Sequence, residues 1–229
     1  MTLRAAAVTA AVGLSGATAH GAIFFTFQDP GPDREVTITE NEDNSLSLSY
    51  SFAETVSLFI TSDEGEIPNT TFEDTRLTLN LTTSTSPLVD NPGLYVSHIS
   101  GEFVFEDVSG MMPATILTGV FDDAVATLLS SELLGVIEAS GSAVGDSVVG
   151  SLQLIAGAAL TPLLAPGTEL GGRQTASFAL AELTGGETEE GLAVLEGSAA
   201  FTGSSETIPA PGAAGLFGLG LLAMSRRRR

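Results

Sequence analysis

Apolar residues recur at every second position in most segments between Ile23 and Thr202. Leu46, Leu48, Tyr50 and Phe52 alternate with Ser45, Ser47, Ser49 and Ser51, and the pattern repeats in Val36/Ile38, Val56/Leu58/Ile60 and Leu77/Leu79/Leu81. A period of two places one face of an extended strand in a core and the other in water, which marks half-buried antiparallel strands. Ser and Thr fill the polar faces, where they suit strands better than helices. Turn formers separate the runs at Glu42-Asp43-Asn44, Asp63-Glu64-Gly65 and Asp90-Asn91-Pro92-Gly93. Further strands are expected at 101–106, 116–121, 147–160, 175–183 and 199–203, with a Pro/Gly loop at 161–172. Residues 122–139 fit a helix capped by Asp122, but Gly135 and the β-branched residues favour strands. About ten short strands predict an all-β fold, an antiparallel β-sandwich with jelly-roll-like order.

Length and composition narrow the function. The 229 residues suit one domain with processed ends, and a hydrophobic fraction of 43% is too high for a chain disordered throughout. The absence of Cys excludes disulfides, thiolate metal sites and a cysteine nucleophile. A net charge of −20 argues against nucleic acid as a partner, since phosphate binding needs Lys and Arg.

The charge is unevenly placed. All 28 acidic residues fall between Asp29 and Glu206, where only Arg34, Arg76 and Arg173 oppose them, leaving that stretch at −25. Both ends are basic and apolar. Arg4, an uncharged run from Ala5 to Leu14 and Ala17-Thr18-Ala19 form a short positive segment, an apolar core and an Ala-x-Ala site. That is a secretory signal peptide over residues 1–19, with cleavage after Ala19 or alternatively Ala22. At the other end, Ile208-Pro209-Ala210-Pro211 leads into an uncharged run from Gly212 to Ser225, closed by Arg226, Arg227, Arg228 and Arg229. The run is shorter than the roughly 20 residues of a comfortable transmembrane helix. Terminal arginines stay on the cytoplasmic side and snorkel, so the segment suits transient insertion in an inner membrane.

Pro-x-Pro, a short Gly/Leu/Ala span and an Arg cluster, behind a signal peptide, resemble the PEP-CTERM sorting signal. The family's customary middle Glu is Ala210 here. The resemblance covers residues 208–229. It implies recognition and removal of the tail by an exosortase-type transpeptidase, and delivery to the surface or extracellular matrix of a Gram-negative-type bacterium, in association with exopolysaccharide. The segments around Leu117–Phe121, Val149–Leu152 and Ser177–Leu180 also resemble the bodies of such proteins, which implies no activity. The expected organisation is a signal helix (1–19), a β-sandwich domain (20–203), a linker (204–207) and an apolar sorting helix (208–229).

Residues able to carry chemistry are few. His20 sits at the cleavage site, leaving His98 as the secure histidine; no Gly-x-Ser-x-Gly elbow accompanies it, and a structural histidine is the expectation. Glu102, Glu106, Asp107, Asp122 and Asp123 offer carboxylate pairs for glycoside hydrolysis. With no Trp and only two Tyr, however, an aromatic sugar platform is lacking. Calcium is the ligand best suited to the acidic turns, through Glu40, Glu42 and Asp43 or through Asp63, Glu64 and Glu66; neither group matches an EF-hand loop. The combined expectation is a non-enzymatic exported protein without a required cofactor, structural or adhesive, handled by signal peptidase and a sorting transpeptidase. A polysaccharide- or calcium-binding module is the alternative, and a secreted carboxylate hydrolase the third reading.

Overall fold

The structure is a computed structural model, described over residues 20–28, 36–50, 55–63, 65, 67–91, 93–129, 134–144, 147–187 and 193–210. These residues form antiparallel strands and one 3-10 turn, Thr161–Leu163. The strands are β1 (His20–Gln28), β2 (Val36–Glu40), β3 (Leu46–Tyr50), β4 (Val56–Ser62), β5 (Thr70–Thr83), β6 (Val89–Asn91), β7 (Leu94–Asp107), β8 (Ala114–Leu129), β9 (Leu134–Val144), β10 (Ser147–Gly150), β11 (Leu152–Ala156), β12 (Thr168–Glu187) and β13 (Ala193–Pro209). Residues 122–129 are thus strand in β8, and residues 134–139 are strand in β9. The Pro/Gly loop ends earlier than its composition suggests, because β12 starts at Thr168. Among the described residues no helix is long and apolar enough to cross a membrane. The expected signal helix (1–19) and residues 211–229 of the expected sorting helix lie outside the described residues; Ile208 and Pro209, expected to begin that helix, end β13 instead.

Two stacked sheets are the expectation; the hydrogen bonding instead makes one sheet that closes on itself. From β13 the wall runs through β12, β9, β8 and β7 to β5. From β5 back to β13 it is completed twice. At one end β4 and β1 bridge the gap, and at the other β3 and β2 do so. Every route around counts eight strands, and eight is the size at which side chains fill a barrel's interior.

Phenylalanines fill it. Phe25, Phe27, Phe103, Phe105, Phe121, Phe178 and Phe201 are fully buried. Phe103 on β7 and Phe201 on β13 sit four strands apart in either direction, yet their ring centroids are 5.1 Å apart. Opposite walls therefore touch. Phe103 also meets Phe178 edge-on at 5.1 Å, the geometry that sets the positive edge of one ring against the face of another. Gly119, cross-strand from Phe103, makes room for this ring; a Cβ there would lie 2.0 Å from its Cζ.

Two of the register shifts in the wall bear on the site. At Ile99/Gly101, two residues of β8, Asp122 and Asp123, oppose the single Ser100 of β7, and Asp123 takes φ 62°. In β12, Gly172 (φ 58°) and Arg173 are extra between Gly171 and Gln174. The Arg173 N–H donates to the Glu206 carboxylate at 3.0 Å, which fixes this second bulge against β13.

Candidate functional site

The chain leaves the barrel on its most extensively paired strand. β13 is bonded along one side to β12 and along the other to β1 and then β2. Ser204–Thr207, expected as a linker, is the continuation of this strand. Its polar composition hides inward-facing residues: Ser205 and Thr207 are buried, and Ser205 lies across from Gln174. The Gln174 carboxamide accepts from the Leu154 N–H at 3.0 Å and donates to the Leu154 carbonyl at 3.1 Å and to Ser205 Oγ at 3.2 Å. It thereby joins β11 to β12 as a neighbouring strand's backbone would. Of the expected sorting motif, Ile208 is buried, Pro209 pairs with Thr168, and the Ala210 N–H donates to the Gly167 carbonyl at 2.8 Å. Pro211 and Arg226, Arg227, Arg228 and Arg229 lie outside the described residues.

The acidic turns use their carboxylates as fasteners. Asp43 Oδ1 accepts from Ser45 Oγ at 2.6 Å and from the Ser45 N–H at 3.1 Å. The hydroxyl bond first, and the amide bond second, hold its carboxyl below the ordinary aspartate value. Asp63 Oδ1 accepts from the Ala22 N–H at 2.7 Å, tying the β4 end to β1. Glu40 ends β2 and Glu42 is exposed in the turn; Glu64 and Glu66 lie outside the described residues. Among the described residues no three His, Asp or Glu side chains are grouped to hold a metal ion.

The histidine has an acidic neighbour. His98 Nδ1 lies 3.0 Å from Asp123 Oδ1, a close approach without hydrogen-bond alignment. Ser100, two residues along β7, uses its Oγ to accept the Asp123 N–H at 3.1 Å. The bulge brings a Ser, a His and an Asp to one surface, but the serine oxygen serves the backbone. Of the other carboxylates singled out, Glu106 pairs with Arg76 at 2.6 Å and Asp107 accepts from the Ser109 N–H. Glu102 and Asp122 are exposed on β7 and β8.

Two concavities were not evident from sequence. The first is a cup of about 630 Å³ at the barrel end opposite the exit of β13. Its leucines come from six strands, among them Leu46, Leu94, Leu128, Leu134, Leu183 and Leu195, and Glu40 and Asp90 are its charged lining residues. The second is an open outer groove of about 770 Å³ across β1, β13, β12, β9 and β8. Ser140, Thr175, Ser177, Thr202 and Ser204 floor it, Phe24 edges it, and Glu138 is its one charged lining residue. Each set is scattered over more than 100 residues of sequence, so only closure of the sheet assembles it.

Comparison with family profiles, with curated proteins and with solved structures finds no match to this chain.

Proposed function

We propose that the protein is an exported, non-enzymatic β domain, held and processed through its C-terminal segment and serving a structural or adhesive role at the cell surface. The observation that carries this reading is the seat of the tail. Residues 211–229 follow directly from β13, which is bonded to neighbours on both sides, so tension on the tail loads many hydrogen bonds together. The hairpin tip bearing the exposed Met111 and Met112 lies at the same barrel end as the end of β13, an apolar tip suited to a bilayer surface. We also read the barrel as flattened into two facing layers, jelly-roll-like, on the strength of the phenyl contacts between opposite walls. The remaining steps follow the sequence reading: signal-peptidase cleavage, transient inner-membrane insertion, and removal of the tail by an exosortase-type transpeptidase. Because Ile208 and Pro209 belong to the sheet, scission falls beyond Ala210.

The test is fractionation of cells expressing an epitope-tagged chain with and without residues 211–229. The full chain should pass through the membrane fraction and lose a C-terminal fragment starting after Ala210, while the truncated chain does neither. A full chain that stays cytoplasmic, or that behaves like the truncated one, refutes the reading.

A second reading, a polysaccharide-binding module, is favoured by the outer groove. Apart from Glu138 its lining is uncharged in a chain of net charge −20, and it offers hydroxyls beside an exposed ring. Such a surface suits a neutral glycan, which stacks on rings and exchanges hydroxyl hydrogen bonds. Affinity electrophoresis in neutral polysaccharide gels, comparing the natural chain with Phe24→Ala, checks it; equal mobility shifts in both rule the groove out.

A further inference from the structure

The cup at the end of the barrel opposite the tail is a built cavity with two chemically distinct parts. Its floor joins the core directly, through Leu128 and Leu183, both buried. Its wall includes Leu134, which is 39% exposed. Leaving an apolar wall open to water sacrifices burial worth about 25 cal/mol per Å², so the space favours an apolar occupant. The wall also holds a polar handle. Tyr95 Oη lies 3.1 Å from Thr83 Oγ, which itself accepts the Leu46 N–H at 2.8 Å. Thr83 is thereby fixed, and its hydroxyl proton is free to point at Tyr95, releasing the tyrosine O–H toward an occupant.

Charge decides which occupant. The lining residues include two carboxylates, Glu40 and Asp90, and no basic side chain. An anionic head at the rim would face both carboxylates at short range, where like charges repel by an amount salt only partly screens. We infer that the cup binds a small amphipath with a medium-length aliphatic body and a cationic or uncharged head, and discriminates against fatty-acid anions. The volume of about 630 Å³ falls within the usual range of small-molecule sites, roughly 300–1,000 Å³. The inference does not depend on the role of the tail, and a failure of either leaves the other standing.

The chain has no Trp, which makes a single introduced indole an unambiguous reporter. Leu134→Trp places it in the cup wall, and Val149→Trp places it on exposed β10, away from the cup. Both positions are partly or largely exposed, so both full-length variants should fold; thermal melts against the natural chain verify this. Octyltrimethylammonium, 1-octanol and octanoate are the probes, used well below micellar concentrations. The expected result is a saturable blue shift at Leu134→Trp with the cation and the alcohol, at least tenfold weaker binding of octanoate, and no saturable shift at Val149→Trp. Adding Glu40→Gln and Asp90→Asn to the Leu134→Trp chain should bring octanoate to within about threefold of the cation while leaving octanol unchanged. The inference is overturned by an absence of saturable change at Leu134→Trp with all three probes, by an equal change at Val149→Trp, or by octanoate binding as tightly as the cation to the natural rim.

Discussion

Replacing Gln174 should unfasten the barrel. β11 bonds to β8 on one side only, and its other side meets β12 through the Gln174 carboxamide. Gln174→Leu keeps the volume and apolar fit but removes both partners of Leu154. A buried backbone N–H and a buried carbonyl are then unsatisfied, each costing about 1–3 kcal/mol. Ser205 Oγ keeps its contact with the Glu206 carbonyl at 2.9 Å, so its share is smaller. The expected loss is roughly 3–5 kcal/mol, a large fraction of the roughly 5–15 kcal/mol typical of a domain. At about 2–4 °C per kcal/mol for a chain of this size, the melting temperature falls by ~6–20 °C.

Gln174→Glu separates hydrogen bonding from packing. An ionised Glu retains the bond from the Leu154 N–H but turns a negative oxygen toward the Leu154 carbonyl. Burial and that carbonyl raise its folded pKa above the ordinary value of about 4.3. Between the two values the folded variant holds more protons than the unfolded one, so its stability falls as pH rises. Below about pH 4 both states are protonated, and the neutral acid donates to the carbonyl as the amide does. The melting deficit relative to the natural chain at the same pH should therefore be largest near pH 7 and smallest near pH 4. Circular-dichroism melts across that range measure it. A Gln174→Leu deficit under about 1 kcal/mol, or a Gln174→Glu deficit flat with pH, would refute the view that this amide stands in for a strand.

Three further outcomes are expected. Gly119→Ala drives a Cβ into the Phe103 ring and should destabilise by about 1–3 kcal/mol or more; adding Phe103→Leu should recover part of the melting temperature if the clash is the cause. The lowered carboxyl pKa of Asp43 means that its turn-closing bonds stabilise the fold above the unfolded value of 3.8 and lose that contribution as pH falls through the folded value; the melting deficit of Asp43→Ala should accordingly narrow as pH is lowered below 3.8. A chain ending at Ala210 should melt with the natural chain, whereas one ending at Gly203 loses Ser205, Thr207 and Ile208 and should fail to show a cooperative transition by calorimetry.

Much of the wall is visible in the sequence because one face of each strand meets a phenylalanine-filled interior. Leu77, Leu79 and Leu81, or Val56, Leu58 and Ile60, are buried as their alternation requires. Reading fails where the inward positions are polar or where a bulge shifts the phase. Ser205 and Thr207 point inward but look like a linker, since they are buried polar side chains, Ser205 bonded to Gln174, and no period-two pattern of apolar residues records them. Gly171 and Gly172 disguise the start of β12 as loop because the bulge there requires a positive φ. Asp122 looks like a helix cap, but its N–H donates to the Ser151 carbonyl at 3.0 Å in a bulged strand. The cup is harder still. Leu46, Leu94, Leu134 and Leu195 belong to four different strands far apart in the chain, and only closure makes them one wall.

Closure also sets where the domain ends. An open sandwich could let its last strand fray into a spacer, because an edge strand has neighbours on one side only. β13 has them on both, and β1 is its partner from Thr207 to Ala200. The first described strand after residue 19 and the last before residue 211 thus depend on each other. Neither can be peeled away without exposing Phe25, Phe27 and Phe201 together. The processing proposed above would therefore meet paired strand up to Pro209 and a bonded Ala210.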